Sequence, residues 1–199
     1  MVRIAVTGGI ACGKSRMGSC LRHLGVDVCE ADDLAHDILN NDTGVYREVV
    51  KRFGGAVLGS DGKIDRTKLG EIVFGDSERL VLLNSIIHPV VKLRLREWLQ
   101  EREQSGSDLA AAIVPLLFEA GMCDGWGWNA IVCVSCSEPV QLERLAWRGF
   151  SWQQASQRVA AQMPLAEKEK MSDFVVINNG TAEQFDRETV ELLKKVGEI

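Results

Sequence analysis

The chain has 199 residues, 46% of them hydrophobic, with 28 acidic against 23 basic side chains and a formal net charge of −5. That length suffices for one α/β core with modest insertions, and the apolar share supports it without disulfide or metal staples. The acidic balance argues against a nucleic-acid surface, which carries a basic excess or stripe. The densest basic cluster, Lys92-Leu93-Arg94-Leu95-Arg96, reads as the solvated side of a helix whose apolar residues include Val91, Leu95, Trp98 and Leu99.

In chain order, Arg3–Thr7 predicts a short buried strand. Gly8-Gly9-Ile10-Ala11-Cys12-Gly13-Lys14-Ser15 follows and fits the phosphate-binding pattern G-x-x-x-x-G-K-[ST]. Met17, Cys20, Leu21 and Leu24 then mark one face of a helix, which Gly25 closes. The order strand, glycine loop, helix is itself the device: the loop turns its amides inward and the helix adds its positive end. Nucleoside triphosphate binding is expected, with Lys14 reaching the β- and γ-phosphates and Ser15 ligating Mg²⁺. Strand two is expected over Val26–Glu30, followed by Asp32, Asp33 and a helix over Leu34–Leu39. The two aspartates are either chemical groups at the strand's carboxyl edge or caps of that helix.

A long, mostly helical insertion follows, roughly residues 40 to 106. Val45, Val49, Val50 and Phe53 predict a helix ending at Gly54-Gly55. Asp65 is expected to cap a helix carrying Leu69, Ile72 and Val73 that ends at Gly75, and Ser77 to cap another carrying Leu80, Leu83 and Ile87. His88-Pro89 is expected to break that helix and start a new one. Strands three to five are expected over Ala110–Leu116, Ala130–Cys136 and Phe174–Asn178. Residues 139 to 171 read as a polar lid of two helices carrying Arg144, Arg148, Arg158 and Gln162, with Gly149 as the turn between them.

The longest apolar run, Leu109 to Phe118, is about half of what a bilayer span requires, and no secretory signal is visible. A cytoplasmic protein with free thiols is therefore expected. Cys133-Val134-Ser135-Cys136 is formally C-x-x-C, but no second pair or histidines follow at ligand spacing, so core thiols are expected there.

Neither the N-K-x-D tetrapeptide of switch GTPases nor an acid at the end of strand three is present. Short length, a helical insertion and an arginine-bearing lid instead suggest a small-molecule kinase. The chain then resembles the dephospho-coenzyme A kinase family almost end to end. The resemblance lies in Thr7-Gly8-Gly9-Ile10 leading to Gly13-Lys14-Ser15, in Glu30-Ala31-Asp32, and in Ile64-Asp65-Arg66 with Leu69. It continues through Leu83-Asn84 with His88-Pro89, Val114-Pro115-Leu116-Leu117-Phe118-Glu119, Gln141, Arg144, Arg148, Ala161-Gln162 and Asn178-Asn179-Gly180. Two positions depart from the family's pattern: Glu30 stands for its usual aspartate, and Arg16 for the threonine that usually follows the serine.

The resemblance implies an α/β fold: a five-stranded parallel sheet of the P-loop kinase type, with a helical substrate insertion and a helical lid. The core would comprise residues 1–39, 107–138 and 172–199, the acceptor insertion 40–106 and the lid 139–171. It implies ATP-dependent phosphorylation of the ribose 3′-hydroxyl of dephospho-coenzyme A, with Mg²⁺ as cofactor. Asp32, Lys14 and Arg144 would be the catalytic residues, Asp32 as general base. ATP would lie against Gly9, Ile10, Ala11, Cys12, Gly13, Lys14, Ser15, Arg16, Arg144, Arg148, Asn178 and Gly180. Asp32, His88, Leu117, Phe118 and Glu119 would shape the acceptor site and Ser15 would hold the metal. His88 also reads as a helix-end histidine with a packing role. The expected partners are the two small substrates, with no nucleic acid and no membrane, in a monomer or weak homo-oligomer.

Overall fold

The computed structural model describes residues 1–73 and 76–197. The described strands form one parallel sheet: β1 (Val2–Gly8), β2 (Asp27–Glu30), β3 (Leu109–Ile113), β4 (Ala130–Ser135) and β5 (Phe174–Ile177), in spatial order β2-β3-β1-β4-β5. The central β1 pairs with β3, Val6 opposite Ile113, and with β4, Thr7 opposite Cys133. Ile4 to Thr7 are at most 2% exposed. Helices cover both faces of such a sheet, so its strands read as unbroken apolar runs.

The helices are α1 (Lys14–His23), α2 (Ala31–Asn41), α3 (Thr43–Phe53), α4 (Arg66–Val73), α5 (Ser77–Gln104), α6 (Glu138–Trp147), α7 (Trp152–Ala160), α8 (Leu165–Lys170) and α9 (Ala182–Val196). Met17 and Leu21 of α1 and Phe185 and Leu192 of α9 join Ile4, Val6, Val132 and Val134 in the main core. Two compact units result: Met1–Glu30 with Trp98–Ile199, and Ala31–Glu97. The first holds the sheet, the phosphate loop and helices α6 to α9. The second is helical, and α2 falls within it because α2 packs on α3.

Several boundaries differ from expectation for local reasons. β3 stops at Ile113 rather than Leu116; Val114 still donates to the Val6 carbonyl at 2.8 Å, but Pro115 has no N–H to continue the ladder. α1 ends before Leu24, which is 44% exposed rather than on the buried face. Helix α2 begins at Ala31, so Asp32 and Asp33 occupy its first turn rather than its cap. Asp65 accepts from Thr67 and Lys68 amides as expected, whereas Asp76, not Ser77, caps α5 by accepting from Glu78 and Arg79. The expected helix end at Gly75 lies outside the described residues.

Pro89 does not break the helix: α5 runs through it for 28 residues. A proline inside a helix costs about 3 kcal/mol. Here Leu83, Ile87, Val91, Leu95 and Leu99 recur every four residues and all are buried, so one apolar stripe continues across the lost hydrogen bond. The 139–171 segment holds three helices rather than two, with Gly149 (φ +88°) between α6 and α7 and a short α8 after Pro164.

Candidate active site

The phosphate loop joins β1 to α1, and its shape depends on left-handed residues: Gly8 (φ +135°), Ala11 (φ +60°) and Gly13 (φ +110°). At Gly8 a side chain is barred, because an added Cβ would lie 2.0 Å from the Val134 carbonyl oxygen on β4. At Gly13 it would lie 2.3 Å from the Asn178 amide nitrogen. Backbone can approach backbone this closely only where Cβ is missing.

Four side chains from distant parts of the chain hold the loop by its peptide groups. Arg144 of α6 donates through Nη1 to the carbonyls of Ala11 (3.2 Å) and Cys12 (3.4 Å), and through Nη2 to the Asn178 carbonyl (3.0 Å) and Oδ1 (3.2 Å). Asn178, buried at the end of β5, donates to the Cys12 carbonyl at 2.7 Å. Gln141 donates to the Ile10 carbonyl at 2.9 Å, and the Ile10 amide donates to Gln162 at 3.0 Å. Lys14 Nζ donates to the Gly8 and Gly9 carbonyls at 3.0 and 2.8 Å. Ala11 is also buried against Leu142, Leu145 and Ala155 of α6 and α7. A glycine loop at a helix start, gripped by an arginine and backed by a lysine, is a site for a polyphosphate.

The dephospho-CoA kinase family model matches residues 2–184. A dephospho-CoA kinase of Carboxydothermus hydrogenoformans is 44% identical over 193 residues, covering 96% of this chain and 93% of that protein. A crystal structure from Thermus thermophilus superposes with a TM-score of 0.77 at 33% identity, covering 98% of this chain and 97% of that one. A dephospho-CoA kinase from Campylobacter jejuni does so with 0.71 at 28% identity and the same coverage. The chain belongs to the dephospho-CoA kinase family. It is a phosphotransferase on a P-loop kinase fold, as the sequence predicts.

Within the family's frame, the remaining candidate residues sit as follows. Ser15 is exposed in the first turn of α1. Arg16 turns to α9 and forms a two-bond pair with Asp186 at 2.9 and 2.7 Å. Arg148 is exposed at the end of α6. Gly180 precedes the capping box of α9, formed by Thr181 and Gln184. Glu30, the unusual acid at the end of β2, is held by Arg22 of α1 at 2.8 Å. After β3, Leu117 is fully buried, Phe118 is half-buried, and Glu119 pairs with Lys168 of α8 at 2.7 Å. In the helical unit, Asp32 is exposed in the first turn of α2. His88 is half-buried within α5, and burial, then the Lys92 charge one turn on, pushes its imidazole below the usual histidine value. Both effects favour the neutral imidazole.

Sequence reasoning gave no role to three groups. Gln141 and Gln162 carry family likeness, but their grip on the Ile10 peptide groups is visible only in three dimensions. Lys168, in a run of alternating charges, is not singled out by the sequence; it is fully buried and also donates to the Pro115 carbonyl at 2.9 Å. Cys136 lies against the loop itself, its sulfur 3.2 Å from that of Cys12. The hydrogen bond from Cys136 and the nearby Lys14 charge bring the Cys12 thiol down to about 7 against the opposing effect of burial.

Proposed function

We propose that the chain transfers the γ-phosphoryl group of ATP to the ribose 3′-hydroxyl of dephospho-coenzyme A, releasing ADP. The observation carrying this reading is the loop of family sequence whose carbonyl side is held by Arg144, Asn178 and Gln141, so that the loop amides other than those of Ile10 and Cys12 are left to a triphosphate. Phosphoryl transfer needs little covalent chemistry from a protein; it needs the reactants aligned and the phosphoryl charge offset.

In this reading Lys14 exchanges its two carbonyl contacts for the β- and γ-phosphate oxygens. The phosphate loop from Gly9 to Arg16 lines the polyphosphate, and the Asn178–Gly180 turn lies beside the adenine. Arg144 and Arg148 offset charge as the phosphoryl group moves. Asp32 accepts the proton of the attacking hydroxyl. His88, Leu117, Phe118 and Glu119 are the proposed acceptor-binding residues, with residues 40–106 as acceptor unit and 139–171 as lid.

Mg²⁺ is the proposed cofactor. Among the described residues no cluster of three or more His, Cys, Asp or Glu side chains forms a metal cage. Mg²⁺ commonly keeps its waters and takes substrate phosphates with one or two protein oxygens, which the exposed Ser15 hydroxyl suits. The ion supplies charge neutralisation on the phosphates. Among the described residues no helix is long and apolar enough to cross a membrane. We read the protein as cytoplasmic, a monomer or weak homo-oligomer acting on small molecules.

A coupled assay of ADP formation tests the reading. ADP release should depend on dephospho-coenzyme A, and the product should carry its new phosphate at the ribose 3′ position. ADP formed equally without that acceptor, or a phosphate elsewhere on the product, overturns it.

A further inference from the structure

Where the phosphate loop meets the end of β4, two cysteines are buried sulfur to sulfur. Cys12 is 0% exposed and Cys136 5%, and their Sγ atoms are 3.2 Å apart. We propose that Cys12 and Cys136 form a reversible dithiol–disulfide site, oxidised by small hydroperoxides, through which oxidation weakens nucleotide binding. This goes beyond the phosphoryl-transfer reading and rests on only one part of it, the loop as nucleotide site.

The geometry asks for a small movement. A disulfide bond is about 2.05 Å long, so the sulfurs must close by just over 1 Å. The surroundings favour the first chemical step. The Cys12 sulfur accepts from Gln141 Nε2 at 3.3 Å and from the Cys136 thiol, and Lys14 is close enough to draw the thiolate out. Burial pushes the thiols of Cys20, Cys123 and Cys133 the other way, Cys133 to about 12. Cys136 is likewise held in its protonated form, as the donor to Cys12. One thiolate beside one thiol is the arrangement of an attacking and a resolving cysteine.

The reaction balances with a peroxide as oxidant. The Cys12 thiolate attacks one peroxide oxygen and the O–O bond breaks. Cys12 becomes a sulfenic acid, and the released hydroxide takes up the proton that Cys12 had given up, leaving as water. The Cys136 sulfur then attacks the Cys12 sulfur; the sulfenic oxygen departs with the Cys136 proton as a second water. Two thiols are oxidised and one peroxide is reduced.

The consequence for the loop follows from its anchors. The Cys12 carbonyl is fixed by Asn178 and Arg144, so drawing its sulfur toward β4 must turn the rest of the residue. The adjoining amides, which a triphosphate requires, turn with it. Gln141 touches both the Cys12 sulfur and the Ile10 carbonyl, so its hold on the loop is disturbed as well. Because both sulfurs are buried, the oxidant enters only when the loop opens, and bound nucleotide should slow the reaction.

The test treats the reduced full-length chain with hydrogen peroxide, with and without Mg–ATP. Three quantities are read: the mass of peptides joined through Cys12 and Cys136, the affinity for a fluorescent ATP analogue, and recovery after dithiothreitol. We expect the linked peptide to appear, affinity to fall at least about tenfold, dithiothreitol to restore it, and Mg–ATP to slow linkage. Cys136→Ser should keep its basal affinity, form no link and accumulate a dimedone-reactive sulfenic acid at Cys12; Cys136→Ala serves if the serine variant does not fold. Cys12 and Cys136 staying unlinked while other thiols oxidise overturns the proposal, and so does a link that leaves affinity unchanged. Neither outcome depends on phosphoryl transfer, so failure here is distinct from failure of the ADP assay.

Discussion

The phosphate loop and the helical unit over Ala31–Glu97 hold their functional candidates in different ways. In the loop, residues 10 to 12 offer carbonyl after carbonyl to a side chain from elsewhere in the chain, and positive-φ residues set the curvature in advance. In the helical unit, Asp32 and His88 ride on helices whose buried faces point elsewhere: Ile38 and Leu39 on α2, Ile87 and Val91 on α5. A site for a fixed chemical group, the triphosphate, is built into the backbone. The proposed acceptor groups sit on helices, Asp32 exposed and His88 half-buried. Preorganisation spares the loop an ordering cost at the moment of binding.

That contrast can be broken experimentally. The largest effect is expected at Lys14 and Asp32. Lys14→Ala should remove nucleotide-dependent turnover with the fold retained by circular dichroism. Asp32→Asn should lower kcat by about 10²–10⁴-fold; a drop below about tenfold in soluble protein removes Asp32 as the base. Next, Arg144→Ala should depress kcat by about 10²-fold and also weaken ATP binding, because its guanidinium holds the Ala11 and Cys12 carbonyls; a change confined to KM contradicts its role on the moving phosphoryl group. Lys168→Met should then cost about 1–3 kcal/mol in chemical denaturation, because the Pro115 carbonyl and Glu119 lose a buried partner. The smallest change is expected from Arg16→Ala, whose pair with Asp186 is nearly half exposed; an unchanged midpoint in chemical denaturation with unchanged turnover would mark it as a surface pair.

The sheet and the loop were legible because their signals are local. A buried parallel strand must be an apolar run, and G-x-x-x-x-G-K-S between a strand and a helix has a single physical meaning. Helix ends were less legible where two candidates compete. Asp76 and Ser77 are both good caps, and the carboxylate one residue earlier takes the position. Pro89 misleads because its local cost is visible in sequence, while the stripe from Leu83 to Leu99 that outweighs it must be read over four turns. Lys168 and the Cys12–Cys136 contact were invisible for another reason. Each joins residues more than 40 positions apart, and neither charge alternation nor a C-x-x-C spacing says which partner the fold supplies.

Asn178 carries a consequence for how the molecule is made. Its side chain clasps a peptide group 166 positions earlier, and Phe185 and Leu192 beyond it share the core with α1. A nascent chain emerges from the ribosome with residues 8 to 15 early, yet their clasp arrives only 166 residues after Cys12. Nucleotide affinity should thus switch on late, when the C-terminal helix docks, and truncated nascent chains ending before Asn178 should pass an ATP resin unretained.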